Sequence, residues 1–555
     1  MKMKKIFKQF YPYIFVVLAI IFPWFLKPGY LFFTDFVLGP KITLAWQSNQ
    51  FLLNLLFKLF SFVLPVAVVE KLFFGTVLLL ILLAGKFLLN QLLVFFGGDK
   101  DKNNAGLIFI LSLFFLFNPF VYDRVMYGQW GIVLGFAFFV FTIGYLFKFI
   151  NEPIGRSLVF AWLFMGLSFL SAPHFIFFLV PFFILFYFLY FKNKINLSKI
   201  VKYSIIGILI FFILNINWLL AAFLSNSQSG TFNQVENFNI EHYEAFKTSG
   251  NSTLAVFKNV IMMSGFWGKD QLRYLDLTKV DNNWGRSFVL LLPLIIYGIV
   301  ISLKEKRIRD LSIGLLIIWL MSIFLAAGMS TPPTKVASVW LFDNIPFYKG
   351  IRETQKWVAP VVLIYGFYLC YAVWRLFSKK FFEHYKMLLG IFLAGVIVMQ
   401  ASLLLWGLNR QVQPVNYPED WENVNQLITQ DSACQQKILF FPWHLYMHFA
   451  WVGKIIANPA SYFFDCPIIR GTNMEWGGIY ESINKETTEI DSWVMESNDN
   501  LYNILKNQDV GFIVLAKEVD YQKYLPRLRE QIKIGLLSVY SDTETLLVYK
   551  VNDSL

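Results

Sequence analysis

Charge is scarce in this chain. Asp, Glu, Lys and Arg make up 15% of its 555 residues, where a soluble domain carries roughly a quarter. Hydrophobic residues reach 57%, and the mean hydropathy is +0.54. That shortage excludes a protein that is soluble throughout. No small-residue cleavage site follows the apolar stretch Phe15–Leu26 behind the basic N-terminus, so this stretch is expected to be a retained first span and not a secretory signal. Internal repeats are absent. The apolar runs are nearly clean of polar side chains, Lys86, Asn90, Asn215 and Asn217 being the main exceptions, which argues against a solute pathway through the bilayer. Although the pI is about 9.2, no basic patch with interleaved aromatics is present, so nucleic acid is not an expected partner.

The uncharged runs recur from residue 9 to residue 407, and Phe alone occurs 62 times. With about 20 apolar residues needed per crossing, they predict spans at 9–27, 71–96, 106–120, 131–149, 157–172, 175–191, 203–224, 287–302, 311–328, 357–377 and 388–407. Residues 51–69 are interrupted by Lys58 and Pro65 and read as an amphipathic helix lying at the interface. The expected architecture is a polytopic α-helical membrane protein of about eleven transmembrane helices, residues 1–407, followed by a soluble α/β domain, residues 408–555.

Charge orients these spans. With the N-terminus inside, the cytoplasmic segments hold Lys2, Lys4, Lys5, Lys8, Lys100, Lys102, Lys148, Arg156, Lys192, Lys194, Lys199, Lys202, Lys304, Lys306, Arg307, Arg309, Arg375, Lys379, Lys380 and Lys386. Against these twenty stand Asp99, Asp101, Glu152, Glu305, Asp310 and Glu383, an excess of fourteen positive charges in a chain whose net charge is +12. The positive-inside rule then places the C-terminal domain outside the plasma membrane. The longest loops, 28–70, 225–286 and 329–356, share that outer face, which is where function is expected.

In the C-terminal region, Trp421–Ile428 and Leu501–Leu505 read as helices and Lys437–Phe441 and Val510–Leu515 as strands. Leu536–Tyr540 and Thr545–Val551 read as a hairpin across Ser541-Asp542-Thr543. Of the three cysteines, Cys370 lies in a span. Cys434 and Cys466 both fall in the C-terminal region, and the sequence leaves a disulfide and two buried thiols equally open.

Candidate site residues cluster at the outer ends of spans. Asp35 sits among aromatics in Phe32-Phe33-Thr34-Asp35-Phe36, a setting that is costly unless the carboxylate is paired or used. Asp123, Arg124 and Gln129 belong to the segment from Asn118 to Trp130, His174 to Ser171-Ala172-Pro173-His174-Phe175, and Arg352, Glu353 and Lys356 precede the tenth span. Each has a bland reading: Asp123 and Arg124 as a mutual pair, Arg352 and Lys356 as interfacial anchors, His174 as a satisfied polar tip. An acid, a His and several cations at one membrane surface also make a site.

The layout resembles the GT-C class of membrane glycosyltransferases: many spans, a long first external loop with an acidic residue, and a soluble external C-terminal domain. Asn-Pro-Phe-Val-Tyr-Asp-Arg (118–124) followed by Gly128-Gln129, Arg-Glu-Thr-Gln-Lys-Trp (352–357), Phe441-Pro442-Trp443-His444 and Asn473-Met474-Glu475-Trp476-Gly477-Gly478 are similar to segments of uncharacterised bacterial and archaeal members. Polyprenyl-linked arabinofuranosyltransferases share the plan. The first loop holds Asp35 without an Asp-X-Asp pair, and the Trp-Trp-Asp signature of oligosaccharyltransferases is missing, so a divalent metal is left open.

The resemblance implies an inverting glycosyltransferase that moves a sugar from a polyprenyl-phosphate donor to an envelope glycan, lipid or protein acceptor. Asp35 would be the general base. Arg352 would stabilise the lipid phosphate, with Arg124, Lys356, His174 and Gln129 as further substrate-binding residues. Asp123 would orient the acceptor or hold a divalent ion. Two alternatives remain at this level: a lipid-linked glycan flippase or transporter, and a non-catalytic envelope assembly protein.

Overall fold

The computed structural model describes residues 2–98, 104–224, 238–280, 284–476, 479–481, 488–496 and 501–552. Asp99, Lys100, Asp101 and Lys102 of the charge pattern, and Gly477 and Gly478 of the last motif, lie outside the described residues.

The protein is a multi-pass helical membrane protein with a C-terminal α/β region. Among the described residues, seven helices are long and apolar enough to cross a membrane: Val66–Phe95, Trp130–Asn151, Phe175–Lys192, Leu197–Ala222, Ser287–Lys304, Arg309–Ser330 and Thr354–Phe377. Two bent pairs, Ala105–Leu116 with Pro119–Tyr127 and Glu383–Met399 with Ser402–Asn409, bring the count to nine. The expected eleven is therefore not reached. The segments predicted at 9–27 and 157–172 are the shorter apolar helices Phe10–Leu26 and Gly155–Ser171.

Each bend has a local cause. At the first, Pro119 cannot donate to the preceding turn, and the Asn118 side chain caps a new helix by accepting from the Val121 N–H at 3.0 Å. The chain turns by 50° there, so residues 121–130, expected as a loop, are largely a helix. At the second, between Met399 and Ser402, Ala401 leaves the helical region with φ −150° and ψ 47°, and farther on Trp406, Gly407, Leu408, Asn409 and Arg410 all take positive φ, a left-handed turn that no right-handed helix can continue. Residues 51–69 divide at Pro65, which precedes Val66–Phe95, leaving the separate helix Phe51–Ser61.

Beyond the last span the chain builds strands. They are β1 Tyr30–Leu31 (from the first loop), β2 Pro414–Val415, β3 Lys437–Phe441, β4 Tyr446–Phe449, β5 Lys454–Ala457, β6 Ile468–Arg470, β7 Met474–Trp476, β8 Ile479–Glu481, β9 Val510–Ala516, β10 Leu537–Asp542 and β11 Leu546–Val551. The main sheet has the order β10-β11-β9-β3-β6, antiparallel across the hairpin and β9, parallel from β9 through β3 to β6. Period-two alternation splits its apolar side chains between two cores. Ile438, Phe440, Phe512 and Val514 pack with Trp421, Val424 and Ile428 of the helix Glu419–Ser432. Leu439, Phe441, Ile513 and Leu515 pack with Leu505 and Leu528 on the other face. The predicted helices, strands and closing hairpin of this region are all present, and Cys434 and Cys466 form a disulfide across 32 residues.

The first loop is held on both sides. Leu31 N–H donates to Glu70 Oε2 at 2.9 Å and Lys71 Nζ to Lys27 O at 2.9 Å, fixing the loop to the top of Val66–Phe95. On its other side β1 pairs with β2, Ala457 N–H donates to Thr34 O at 2.9 Å, Lys41 N–H to Tyr462 O at 3.0 Å and Tyr417 Oη to Leu38 O at 2.8 Å. Phe32 and Val37 join the core under the sheet. Closing a loop of this length by a disulfide stabilises a fold by about 3–4 kcal/mol through the unfolded chain. The double variant C434S/C466S is therefore expected to lower the unfolding free energy of the C-terminal region by about that amount, read by denaturant titration of its tryptophans, and unchanged stability would show that the bridge is incidental.

Candidate functional site

The site is built where three segments meet. The bent helix Pro119–Tyr127 ends at Gly128, whose φ of +91° suits glycine. A Cβ at Gly128 would lie 2.6 Å from Phe33 Cβ and 2.9 Å from Phe36 N, so the turn presses directly on the first loop. Asp35 N–H donates to Tyr127 O at 2.9 Å and fixes the loop there. Residues 352–357 form the third segment, with Thr354 Oγ1 bound to Ala326 O at 3.2 Å.

Glu353 is buried, 6% exposed, with Arg124 at 0% and Lys356 at 7%. Its Oε2 pairs with Arg124 Nη1 and its Oε1 with Lys356 Nζ at 3.3 Å. Burial alone would raise the Glu353 carboxyl, but Lys356 and Arg124 outweigh it and hold the group well below the usual carboxylate range. Arg124 Nη1 also donates to Gln129 Oε1, which turns the Gln129 amide N–H outward. That Nε2 reaches Asp35 Oδ2 at 3.1 Å and lies 3.5 Å from Glu353 Oε2. Asp35 Oδ1 accepts from the Tyr446 hydroxyl of β4 at 3.0 Å. Half-buried in this network, the Asp35 carboxyl is pushed up to about 6, chiefly by burial, with Glu353 adding to the shift and Gln129, Tyr446 and Arg273 opposing it.

Arg352 lies in the same charge neighbourhood. Its guanidinium is sandwiched by Phe238 and Phe246, 4.5 and 4.6 Å from the ring centroids. It feels Glu353, Tyr446 and Asp35 electrostatically, and its Nη1 is buried with no hydrogen-bond partner. Burial lowers its pKa. His174 borders Lys356, Glu353 and Arg124, but burial first, and Lys356 next, push its pKa well below the ordinary imidazole value.

Asp123 and Arg124 do not pair with each other as salt-bridge partners: Arg124 turns to Glu353, and Asp123, 5% exposed, accepts from Tyr274 Oη at 3.0 Å. Tyr274 in turn lines an adjoining cavity of about 560 Å³, whose wall also includes Arg273, Asp276, Lys279, Gln411 and Lys454. Arg273 links the two places. It lines the cavity, donates to Tyr127 Oη at 3.3 Å and acts electrostatically on Asp35. Asp35, Gln129, Arg124, Arg352, Lys356 and His174 are accordingly gathered in one neighbourhood, with Asp123 next to it. Tyr446 and Arg273 were not singled out by sequence, and Glu353 was noted among the outer-face residues without a role. The alternation of charges in Arg352-Glu353-Lys356 was the available signal for Glu353. Among the described residues, no group of three or more His, Cys, Asp and Glu forms a metal-binding cluster.

No family model and no curated protein matches the sequence. Among solved structures, the arabinofuranosyltransferase AftD from Mycobacteria is similar over 99% of this chain and 40% of that one, at 12% identity and a TM-score of 0.64. The fold is GT-C-like. A mutant of the same arabinofuranosyltransferase matches over 99% of this chain and 42% of its own, at 14% identity and a TM-score of 0.54. The oligosaccharyltransferase AglB from Archaeoglobus fulgidus, solved with an inhibitory peptide and a dolichol-phosphate, matches over 98% of this chain and 70% of its own, at 12% identity and a TM-score of 0.42. This GT-C-like chain spans about two fifths of the length of the arabinofuranosyltransferase.

Because Gly128 touches the Asp35 loop, G128A is expected to displace the carboxylate before it unfolds the protein. A non-glycine residue in this left-handed conformation costs about 1–2 kcal/mol. The variant should speed amide exchange at Asp35 N–H far more than it lowers thermal stability, whereas unchanged exchange there would show that the loop position does not depend on Gly128.

Proposed function

We propose that the protein is a membrane glycosyltransferase that moves a sugar from a polyprenyl-phosphate donor to a glycan, lipid or protein hydroxyl at the outer surface of the plasma membrane. The observation that carries this reading is the juxtaposition of Asp35, a carboxylate tuned to about 6, with Arg352, a guanidinium holding a buried unpartnered N–H, on a GT-C-like fold. Acid, base and phosphate chemistry need those two groups at one membrane face, since a polyprenyl tail cannot leave the bilayer.

In this reaction the acceptor hydroxyl attacks the anomeric carbon and its proton passes to Asp35. Each Asp35 oxygen has accepted one protein hydrogen bond and keeps a second lone pair for that proton. The bond from the anomeric carbon to the phosphate oxygen breaks, and the charge left on the lipid phosphate is met by Arg352. A single displacement inverts the anomeric centre. Arg124, which shares Glu353 with Lys356, positions Gln129 and so Asp35. This reading gives Asp35 and Glu353 no divalent ion, since their oxygens already accept from Gln129 and Tyr446 and from Arg124 and Lys356. The proposal therefore assigns stabilisation of the leaving group to the arginine. The charged network is confined to one end of the helices, while Lys192–Asp310 and Arg375–Glu305 pair at the other, an arrangement suited to surface chemistry.

The test is transfer from a panel of polyprenyl-phosphate sugars in nanodiscs. D35N keeps the shape of the side chain and cannot take the proton, so the rate should fall roughly 10²–10⁴-fold with the donor still bound. The base works ionised. Wild-type rate should therefore rise with pH through about 6 and level off above it, a limb absent from D35N, and chelator should leave the rate unchanged. Wild-type transfer by D35N would refute the base. Scrambling of lipid-linked glycans without transfer would replace the enzyme with a flippase.

A further inference from the structure

The C-terminal sheet places a second arginine beside the same hydroxyl that binds Asp35. Arg470 closes β6, next to β3 in register with Phe440. The following residue packs so tightly on the turn into β4 that a Cβ at Gly471 would lie 2.7 Å from His444 N. This contact brings the end of β6 against the segment that delivers Tyr446. Arg470 is within electrostatic reach of the Tyr446 and Tyr462 hydroxyls, and burial lowers its pKa. Its Nη1 is buried without a hydrogen-bond partner, as is Thr472 Oγ1 two residues on.

The cations around Asp35 and Tyr446 fall into two kinds. Arg124 and Lys356 are paired through Glu353. Arg273, Arg352 and Arg470 form no salt bridge among the described residues; Arg273 lies 5.5 Å over the Tyr446 ring, and Arg352 and Arg470 each hold a buried guanidinium Nη1 without a hydrogen-bond partner and act on Tyr446. A guanidinium half-removed from water without a carboxylate is a site that lacks its anion, and its planar fork matches phosphate oxygens. Tyr446 is thus bonded to the proposed base, lies under Arg273 and is within electrostatic reach of two guanidinium groups that have no carboxylate partner, one from the segment before the span Thr354–Phe377 and one from the sheet.

We propose that Arg470 is a second phosphate-binding residue, so that the donor's lipid phosphate is held jointly by Arg352 and by the C-terminal sheet. The inference rests on the glycosyltransferase reading above and deepens it: the C-terminal region contributes to the donor site. It also explains why the sheet is fastened to the first loop by β1–β2 and the hydrogen bonds around it.

The experiment measures binding of a polyprenyl phosphate and of the matching polyprenol to full-length protein in nanodiscs. Wild type is expected to bind the phosphate at least tenfold more tightly than the alcohol. R470Q should lose that preference by tenfold or more without changing polyprenol binding, and R470K should recover part of it, because the charge returns without the fork. In wild type, polyprenyl phosphate but not polyprenol should protect Arg470 from phenylglyoxal, read by peptide mass spectrometry, a measurement that does not depend on how the variants fold. R470Q binding the phosphate as wild type while R352Q does not, or Arg470 modified equally in both lipids, would overturn the role of Arg470 and leave the glycosyltransferase reading standing. A wild type that does not distinguish phosphate from alcohol would overturn both.

Discussion

Glu353 holds together what would otherwise repel. A buried carboxylate costs several kcal/mol unless paired, and here it takes Arg124 on one oxygen and Lys356 on the other. The consequences run outward in sequence. Arg124, committed to Glu353, orients the Gln129 amide, and Gln129 in turn holds Asp35. The same pairing leaves Arg352, the immediate neighbour of Glu353 in the chain, without a carboxylate of its own. One acid thus separates the local cations into two that share a carboxylate and others that have none.

A second constraint comes from the first loop, which belongs to two bodies at once. Glu70 and Lys71 tie its entry to a span, whereas Ala457, Tyr462, Tyr417 and β2 tie its remainder to the sheet region. Asp35 sits between these attachments and receives one hydrogen bond from each side, Gln129 from the helical part and Tyr446 from the sheet. Its position therefore depends on how the membrane part and the C-terminal part pack together. Arg273 extends the arrangement toward the cavity lined by Tyr274, the hydroxyl of which holds Asp123.

Much of this was legible in the sequence because it follows from local pattern. Apolar runs announced the spans, and alternation announced β3, β9 and the hairpin of β10 and β11. The bends were not read, since Asn118-Pro119 inside an apolar run looks like a span end, and the left-handed turn at Trp406–Arg410 has only Gly407 as a signal. Asp35, Arg352, Arg124, Lys356 and Gln129 stood out because charged and amide groups are rare at span ends. Tyr446 and Arg470 did not, because they sit in a region where polar residues are ordinary and only the tertiary fold brings them over the membrane surface. His174 was visible as a residue, but the lowering of its pKa comes from burial and from Lys356, 182 positions away in the chain.

The account's central claim is that Asp35 and Arg352 address the two ends of the same scissile bond. A cryo-EM structure of the full-length protein in nanodiscs with a non-hydrolysable polyprenyl-phosphate sugar tests it most directly. The account predicts phosphate density against Arg352 Nη1, with the anomeric carbon turned toward Asp35 and the Glu353 pairs intact. A phosphate bound elsewhere, with Arg352 still enclosed by Phe238 and Phe246 and Asp35 remote from the sugar, would contradict it.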